Sequence, residues 1–483
     1  MAESKSIRRT FLSGAFWTSG QQIILTLLGV LQLAITSRLL SPADFGTYAI
    51  ATFFSSLGSI AFAMGFSAAL IQKKGDISSY LNTTWSASIG VAIAASVIIG
   101  ALVPFICSSY YHNDAAIYPS LVIMLNCVLV AASNPGLIIY HKEIQLKKIF
   151  FLNVTAKLLS FILVVFFVIV LKSYWGLIIA LLSESLFRLI LSFKIHPYRP
   201  KFQFKWQQFK ELYSFSGWIQ LKNITSWLAS SLDTAIVGNL LGTSKLGSYN
   251  RAQTVAAYPR LFINKVVDSV AFPLYAKVND NHEKMQNVFN KIQDVIIALT
   301  GAMSILFIAF GHQIILLILG EKWIDMVNPF KLLFVSYSIQ TLFLSFIPVL
   351  RSYGFSKQEF VIYVIQICTM VVSLYFFVSR YDLLGAGLAM LICVLVLFPG
   401  MIYYVRKKTG LSMTHYLESL SVTIIAVGII SYILSLIDLS LQSLLLWGSE
   451  AVVACLIYCL LLIIIGVIFK IGPGLPLLSL IKK

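Results

Sequence analysis

Apolar runs of about twenty residues, the length that spans a bilayer as a helix, follow one another along this chain with only short polar intervals. They predict fourteen spans, at approximately 11–37, 45–71, 80–109, 115–140, 147–171, 174–194, 210–242, 245–277, 287–310, 327–350, 358–379, 383–404, 415–437 and 446–469. No interval between them holds a water-soluble domain. The expected class is an all-α polytopic membrane protein.

The pattern also repeats. Ser13, Trp17, Ile23, Leu27, Leu31, Leu40, Gly46 and Tyr48 recur without a gap 201 residues later as Ser214, Trp218, Ile224, Leu228, Leu232, Leu241, Gly247 and Tyr249. Two like halves are a common architecture for transporters that rock between inward-open and outward-open states. Six spans fill the first half, and six is even, so both halves enter the membrane in the same direction. Their pseudo-twofold axis is expected along the membrane normal. The expected organisation is a six-helix lobe over 1–194, a basic cytoplasmic linker over 195–209, a second six-helix lobe over 210–410 and two additional helices over 411–483.

Composition sharpens this. With 58% hydrophobic and 11% charged residues and a mean hydropathy of +0.87, the chain is no soluble enzyme. Lys5, Arg8 and Arg9 precede the first apolar run, and no small-residue cleavage pattern follows, so that run reads as a retained span. The six cysteines form no C-x-x-C pair and read as helix packing rather than disulfides or a metal site. A net charge of +17 would suit nucleic acid on a soluble domain. Here the cations sort by loop instead. Lys73 and Lys74, Lys142 to Lys148, Lys194 to Lys210, Lys277 to Lys291, Arg351 and Lys357, and Arg406 to Lys408 fall on the side of the N-terminus. The other side has only Arg38, Lys172, Lys245, Lys322 and Arg380. The positive-inside rule makes the first side, with both termini, cytoplasmic, and the linker is expected to rest on anionic headgroups.

Charges inside the spans carry the candidate chemistry. A Lys, Arg or Asp at mid-membrane costs about 2.5–3.5 kcal/mol on insertion scales. Lys157, Glu184, Arg188, Lys222, Asp233, Arg251, Arg260, Lys265, Asp268 and Lys331 nevertheless lie there. Glu184 and Arg188, spaced i, i+4 with the acid first, are expected to neutralise each other, and Lys331 to snorkel from a helix end. Two readings of the rest stand side by side. Arg251, Arg260, Lys265, Lys222 and Lys157 line a wet cationic cavity, or they are tied up in structural pairs, with Asp233 and Arg251 close enough in depth to meet. Asp233, Asp268 and Glu184 serve ion coupling or pairing. Gln21, Gln32, Asn126, Asn134, Asn153, Trp218 and Tyr258 suit sugar hydroxyls and ring faces equally with interhelical hydrogen bonds. No phosphate-binding ATPase loop is present. All six histidines fall in loops or at helix ends, which leaves no membrane-embedded histidine relay or metal site. No cofactor is expected beyond a coupling proton or Na⁺.

Leu40-Ser41-Pro42-Ala43-Asp44-Phe45-Gly46 and Gly65-Phe66-Ser67-Ala68-Ala69-Leu70-Ile71-Gln72-Lys73-Lys74 resemble the first two helices of bacterial polysaccharide exporters of the Wzx type. Leu232-Asp233-Thr234-Ala235-Ile236-Val237-Gly238-Asn239-Leu240-Leu241-Gly242 is similar to the lipopolysaccharide/colanic-acid exporter branch of the multidrug/oligosaccharidyl-lipid/polysaccharide superfamily. Leu246 to Ala252 and Val270 to Lys277 continue that likeness. The resemblance covers the twelve-helix body and implies a transporter, not an enzyme. Its implied cargo is an undecaprenyl-diphosphate-linked oligosaccharide, moved from the cytoplasmic to the periplasmic leaflet of the bacterial inner membrane. It also implies two lobes around a cationic cavity that can rock, with Pro42, Pro259, Pro273 and Pro348 as bend points. The expected partners are that lipid-linked cargo, membrane lipids, and a polysaccharide polymerase with other envelope glycan assembly proteins, but no nucleic acid; a monomer is expected. A lipid II flippase and a cationic drug or ion antiporter of the same superfamily are the alternatives, with a non-transporting envelope scaffold behind them.

Overall fold

The computed structural model describes residues 2–73, 75–278, 280–436 and 444–469, and among these it is helical throughout, without a strand. The chain divides into two compact units, Met1–Asn250 and Arg251–Lys483. Helices of the first are α1 (Ala2–Leu39), α2 (Pro42–Ala63), α3 (Phe66–Gln72), α4 (Ser78–Ser109), α5 (Ile117–Ile123), α6 (Leu125–Ala131), α7 (Leu137–Lys142), α8 (Leu146–Leu171) and α9 (Trp175–Ile195). The long α10 (Trp206–Val278) carries the boundary. The second unit continues with α11 (His282–Ala309), α12 (Gly311–Ile318), α13 (Val327–Leu342), α14 (Phe346–Ser352), α15 (Ser356–Thr409), α16 (Thr414–Ser435) and α17 (Leu444–Phe469).

Among the described residues, ten stretches are long and apolar enough to cross a membrane. One of them, Glu359–Thr409, is broken at Asp382, where φ is 57°. α10, which is not among those ten, is broken at Gly242, φ 77° and ψ 176°, into two segments at the positions of the expected spans 210–242 and 245–277. Large apolar side chains face outward, among them Phe16, Val97, Ile98, Ile162 and Phe166. In water such a surface would be a liability; against hydrocarbon it is the solvent-matched face.

Of the expected prolines, Pro348 follows a break, the turn at 343–345 between α13 and α14; other bends fall elsewhere. Pro42 occupies the first turn of α2, where a missing N–H costs nothing. There Ser41 Oγ accepts from the Asp44 N–H (3.2 Å) and the Ser41 N–H donates to Asp44 Oδ2 (3.0 Å), a capping box. Pro259 sits inside α10, whose non-helical residue is Gly242. α2 and α3 are separated by Met64 and Gly65, both left-handed at φ 36° and 66°.

The internal repeat meets itself at one point of the first unit. A Cβ on Gly46 would lie 1.8 Å from the Thr243 carbonyl oxygen, and a Cβ on Gly247 would lie 1.8 Å from the Pro42 carbonyl oxygen. Gly46 and Gly247 are equivalents in the repeat, and so are Pro42 and Thr243. The contact is therefore locally reciprocal, each backbone entering the space left by the other's missing side chain. Further along the same pair of helices, Gln220 Nε2 donates to the Ile60 carbonyl (2.6 Å) and Trp227 Nε1 to Ser56 Oγ (3.0 Å).

The segment between α9 and α10 is extended and docked. The backbone N–H groups of Lys201, Gln203 and Lys205 donate to Asn82 Oδ1, Ser86 Oγ and Thr83 Oγ1 at 2.9, 3.1 and 3.3 Å. Its lysine side chains stay exposed. In the second unit, α16 and α17 pack on α11 through small residues, Ala298, Ala426 and Ala454. A Cβ on Gly301 would strike Tyr458 Oη at 2.0 Å.

Candidate functional site

The membrane-embedded charges are handled differently in the two units. In the first, Lys157 Nζ lies 3.0 Å from Glu184 Oε2 across the α8–α9 contact. Neither helix can hide a lone charge in hydrocarbon, and pairing removes most of the cost. This corrects the expected Glu184–Arg188 pair: Glu184 turns to the neighbouring helix, and Arg188 is exposed with no ion pair among the described residues. The i, i+4 partner lies toward solvent or lipid, whereas Lys157 offers a partly buried contact.

Asp233, 1% exposed, accepts from Tyr249 Oη at Oδ2 (2.8 Å) and from the Thr234 N–H at Oδ1 (2.7 Å). Two such donors stabilise an ionised carboxylate. Lys222 and Arg251 are partly buried and both engaged with neighbouring groups.

Arg260 of the second unit is different. Its guanidinium lies over the Tyr337 ring, 5.7 Å from the centroid, a cation–π contact. Among the described residues no carboxylate meets it. It borders a cleft of about 10 Å³ shared with Pro259, Thr300, Ser338 and Thr341, the lower limit of what holds one water. Tyr258 on the preceding position is partly buried. The side chains of Trp218, Lys265 and Asp268 lie outside the described residues.

Several of the amides make hydrogen bonds within the first unit. Gln21 Oε1 accepts from Asn153 Nδ2 (3.3 Å); Asn126 bridges Ser55 (3.2 Å) and Ser185 (2.5 Å). Asn134 Nδ2 donates to the Tyr198 carbonyl (2.8 Å). Gln32 is partly buried, and its backbone carbonyl accepts from Thr36 Oγ1 (2.7 Å).

Two polar groups escaped the sequence reading, one with partners more than a hundred residues away and one with a partner across the turn that precedes its helix. Asp294, 4% exposed, meets His415 Nε2 at 3.0 Å and Ser419 Oγ at 2.8 Å. Glu359 takes a two-pronged contact from Arg351, Nε at 3.1 Å and a terminal nitrogen at 2.6 Å. A buried acid in an apolar helix was the available signal in each case.

A helical bundle with apolar, broken spans and a repeat that meets itself defines a polytopic membrane protein. Residues 35–328 match the family described as "Polysaccharide biosynthesis protein", and the chain belongs to that family. It is 26% identical over 337 residues to the lipopolysaccharide biosynthesis protein WzxC of Escherichia coli (strain K12), covering 68% of this chain and 67% of that one. It is 24% identical over 324 residues to the succinoglycan biosynthesis transport protein ExoT of Rhizobium meliloti (strain 1021), covering 66% and 65% respectively. Among solved structures it is similar to the lipid II flippase MurJ in an inward closed conformation, at 13% identity and TM-score 0.74, covering 94% of this chain and 98% of that one. That likeness establishes the shared fold.

Proposed function

We propose that this protein is a flippase for undecaprenyl-diphosphate-linked oligosaccharide repeat units of an O-antigen, capsule or exopolysaccharide. It carries them from the cytoplasmic to the periplasmic leaflet of the bacterial inner membrane by alternating access. The observation that carries the reading is Arg260, a partly buried cation of α10 beside a water-sized cleft with no carboxylate against it among the described residues. A cation kept at that depth is stabilised by water or by a visiting anion, and a lipid diphosphate is such an anion. The names of the relatives, lipopolysaccharide biosynthesis and succinoglycan transport, support the same cargo class.

On this reading the chain crosses the membrane fourteen times with both termini cytoplasmic, its lobes are 1–194 and 210–410, and it works as a monomer without a cofactor. Arg251, Lys222 and Lys265 assist Arg260. A proton or Na⁺ gradient supplies the drive, with Asp233 and Asp268 as coupling carboxylates. A lipid II flippase is the second reading, favoured by the fold shared with MurJ; a drug-cation pump is disfavoured because Arg260 repels such cargo. Liposomes containing only this protein, loaded with a fluorescent polyprenyl-diphosphate oligosaccharide or with lipid II, separate these. Translocation of the first and not the second is expected. Transport of lipid II alone assigns the second reading, and movement of neither overturns both.

A further inference from the structure

We propose that the pocket over the break between α2 and α3 is a subsite for an uncharged sugar ring of the lipid-linked cargo, a proposal that rests on the flippase reading above. Met64 and Gly65, both left-handed, turn α3 off the axis of α2. The turn opens a cavity of about 340 Å³ in the first unit, within the range of about 300–1,000 Å³ typical of small-ligand sites. Three aromatics, Phe62, Phe66 and Trp85, and four hydroxyls, those of Ser67, Thr84, Ser88 and Ser133, belong to its lining, Thr84 Oγ1 being engaged with the Tyr80 and Leu81 carbonyls.

The chemistry of that lining selects among occupants. It contains no charged residue, so it does not suit the diphosphate. Trp85 Nε1 donates to the Ala132 carbonyl at 3.0 Å, and its ring is tilted against Phe202 of the docked linker, centroids 4.6 Å apart. The indole is thereby fixed and offers its ring rather than its N–H. Ser67 and Ser88 make no hydrogen bond among the described residues, and Ser133 makes only a long one to the Leu129 carbonyl (3.4 Å). An acyl chain would shut these hydroxyls away from water unpaired, at a cost. A pyranose satisfies both halves of the lining: its C–H face packs on the aromatics and its hydroxyls pair with the serines.

Position supports the same occupant. The linker lies along the first turns of α4, where Asn82, Thr83 and Ser86 hold it, one turn from Trp85 and Ser88. Arg199, Lys201 and Lys205 on that linker are exposed. A neutral ring in the pocket thus has basic groups close by for the anionic end of the same molecule.

The test uses the full chain in lipid nanodiscs and two probes, polyprenyl diphosphate bearing a neutral disaccharide and polyprenyl diphosphate alone. Ser88→Phe fills the pocket; Ser67→Ala with Ser88→Ala removes the two hydroxyls that make no hydrogen bond among the described residues and keeps the packing. The expected result is about a tenfold loss of affinity for the glycan-bearing probe with Ser88→Phe, about threefold with the alanine pair, and no change for the bare lipid. Equal loss for both probes, the signature of an acyl-chain groove, overturns the proposal, and so does no loss with the alanine pair. If Ser88→Phe does not fold, the alanine pair decides. Wild-type protein that binds both probes alike and translocates neither overturns the flippase reading and the subsite with it. Wild-type preference for the glycan that survives in both variants overturns the subsite alone.

Discussion

Lys157 and Arg260 keep their charge in the bilayer by opposite means, and substitution should tell them apart. Lys157 is neutralised by Glu184. Removing one partner strands the other, so Lys157→Met or Glu184→Gln is expected to lower stability by about 1–3 kcal/mol, between exposed and fully buried pairs. The double variant is expected to recover most of that loss in thermal unfolding of the detergent-solubilised protein. Arg260 has Tyr337 and a cleft instead of an acid. Arg260→Gln is expected to leave the melting temperature nearly unchanged and to cut transport at least about tenfold, the worth of roughly 1.4 kcal/mol. His196 adds a pH dependence. Burial, reinforced by the nearby cations Lys148 and Arg199, holds its pKa below the usual value, and its Nδ1 accepts from the Tyr198 N–H at 3.1 Å. The folded state therefore favours the neutral ring. As pH falls through about 6.5, the unfolded chain takes up a proton that the folded chain resists. Stability is expected to drop over that window in a melting series, and His196→Gln to flatten the drop. The charged residue types inside apolar runs were plain in the sequence. Their partners were not, because Glu184 could reach either Arg188 on its own helix or Lys157 on the next, and only packing decides.

Helix breaks make the clearest contrast between local and tertiary causes. Gly242 adopts φ 77° with nothing within 4 Å of a built Cβ, so Gly242→Ala is penalised by backbone conformation alone, about 1–3 kcal/mol. Gly46 is helical, and its built Cβ would strike a carbonyl oxygen at 1.8 Å; Gly46→Ala is penalised by crowding alone, about 1–3 kcal/mol or more. Urea or thermal unfolding of the two variants is expected to show additive losses if the sites act independently. A Gly247→Ala variant should mirror Gly46→Ala, and a much milder effect at either position contradicts the reciprocal contact. Apolar runs marked most of the long helices, since hydrocarbon demands length and composition, although among the described residues ten stretches qualify as spans where fourteen were expected. The bends were less legible. Prolines drew attention, yet Pro42 serves as a helix start, while Gly242 and Asp382 break helices through φ values that no composition rule announces.

At the scale of the whole chain, the repeat was readable because it preserves spacing over many positions. The compact units divide at Asn250 rather than at the linker, since α10 packs against α2 on both sides of its break, through the Gln220–Ile60 and Trp227–Ser56 contacts before Gly242 and the Gly46–Thr243 contact just after it. Sequence offers no sign of that, because which helices adjoin depends on side-chain fit between distant segments. The central claim is that cations embedded in the spans carry an anionic lipid headgroup across the bilayer. It is tested most directly by the initial rate at which liposomes holding only this protein translocate a fluorescent polyprenyl-diphosphate oligosaccharide. Wild-type protein is expected to move the lipid, and Arg251→Gln with Arg260→Gln to slow it at least about tenfold at equal folded protein. Wild-type rates from the double variant contradict the account.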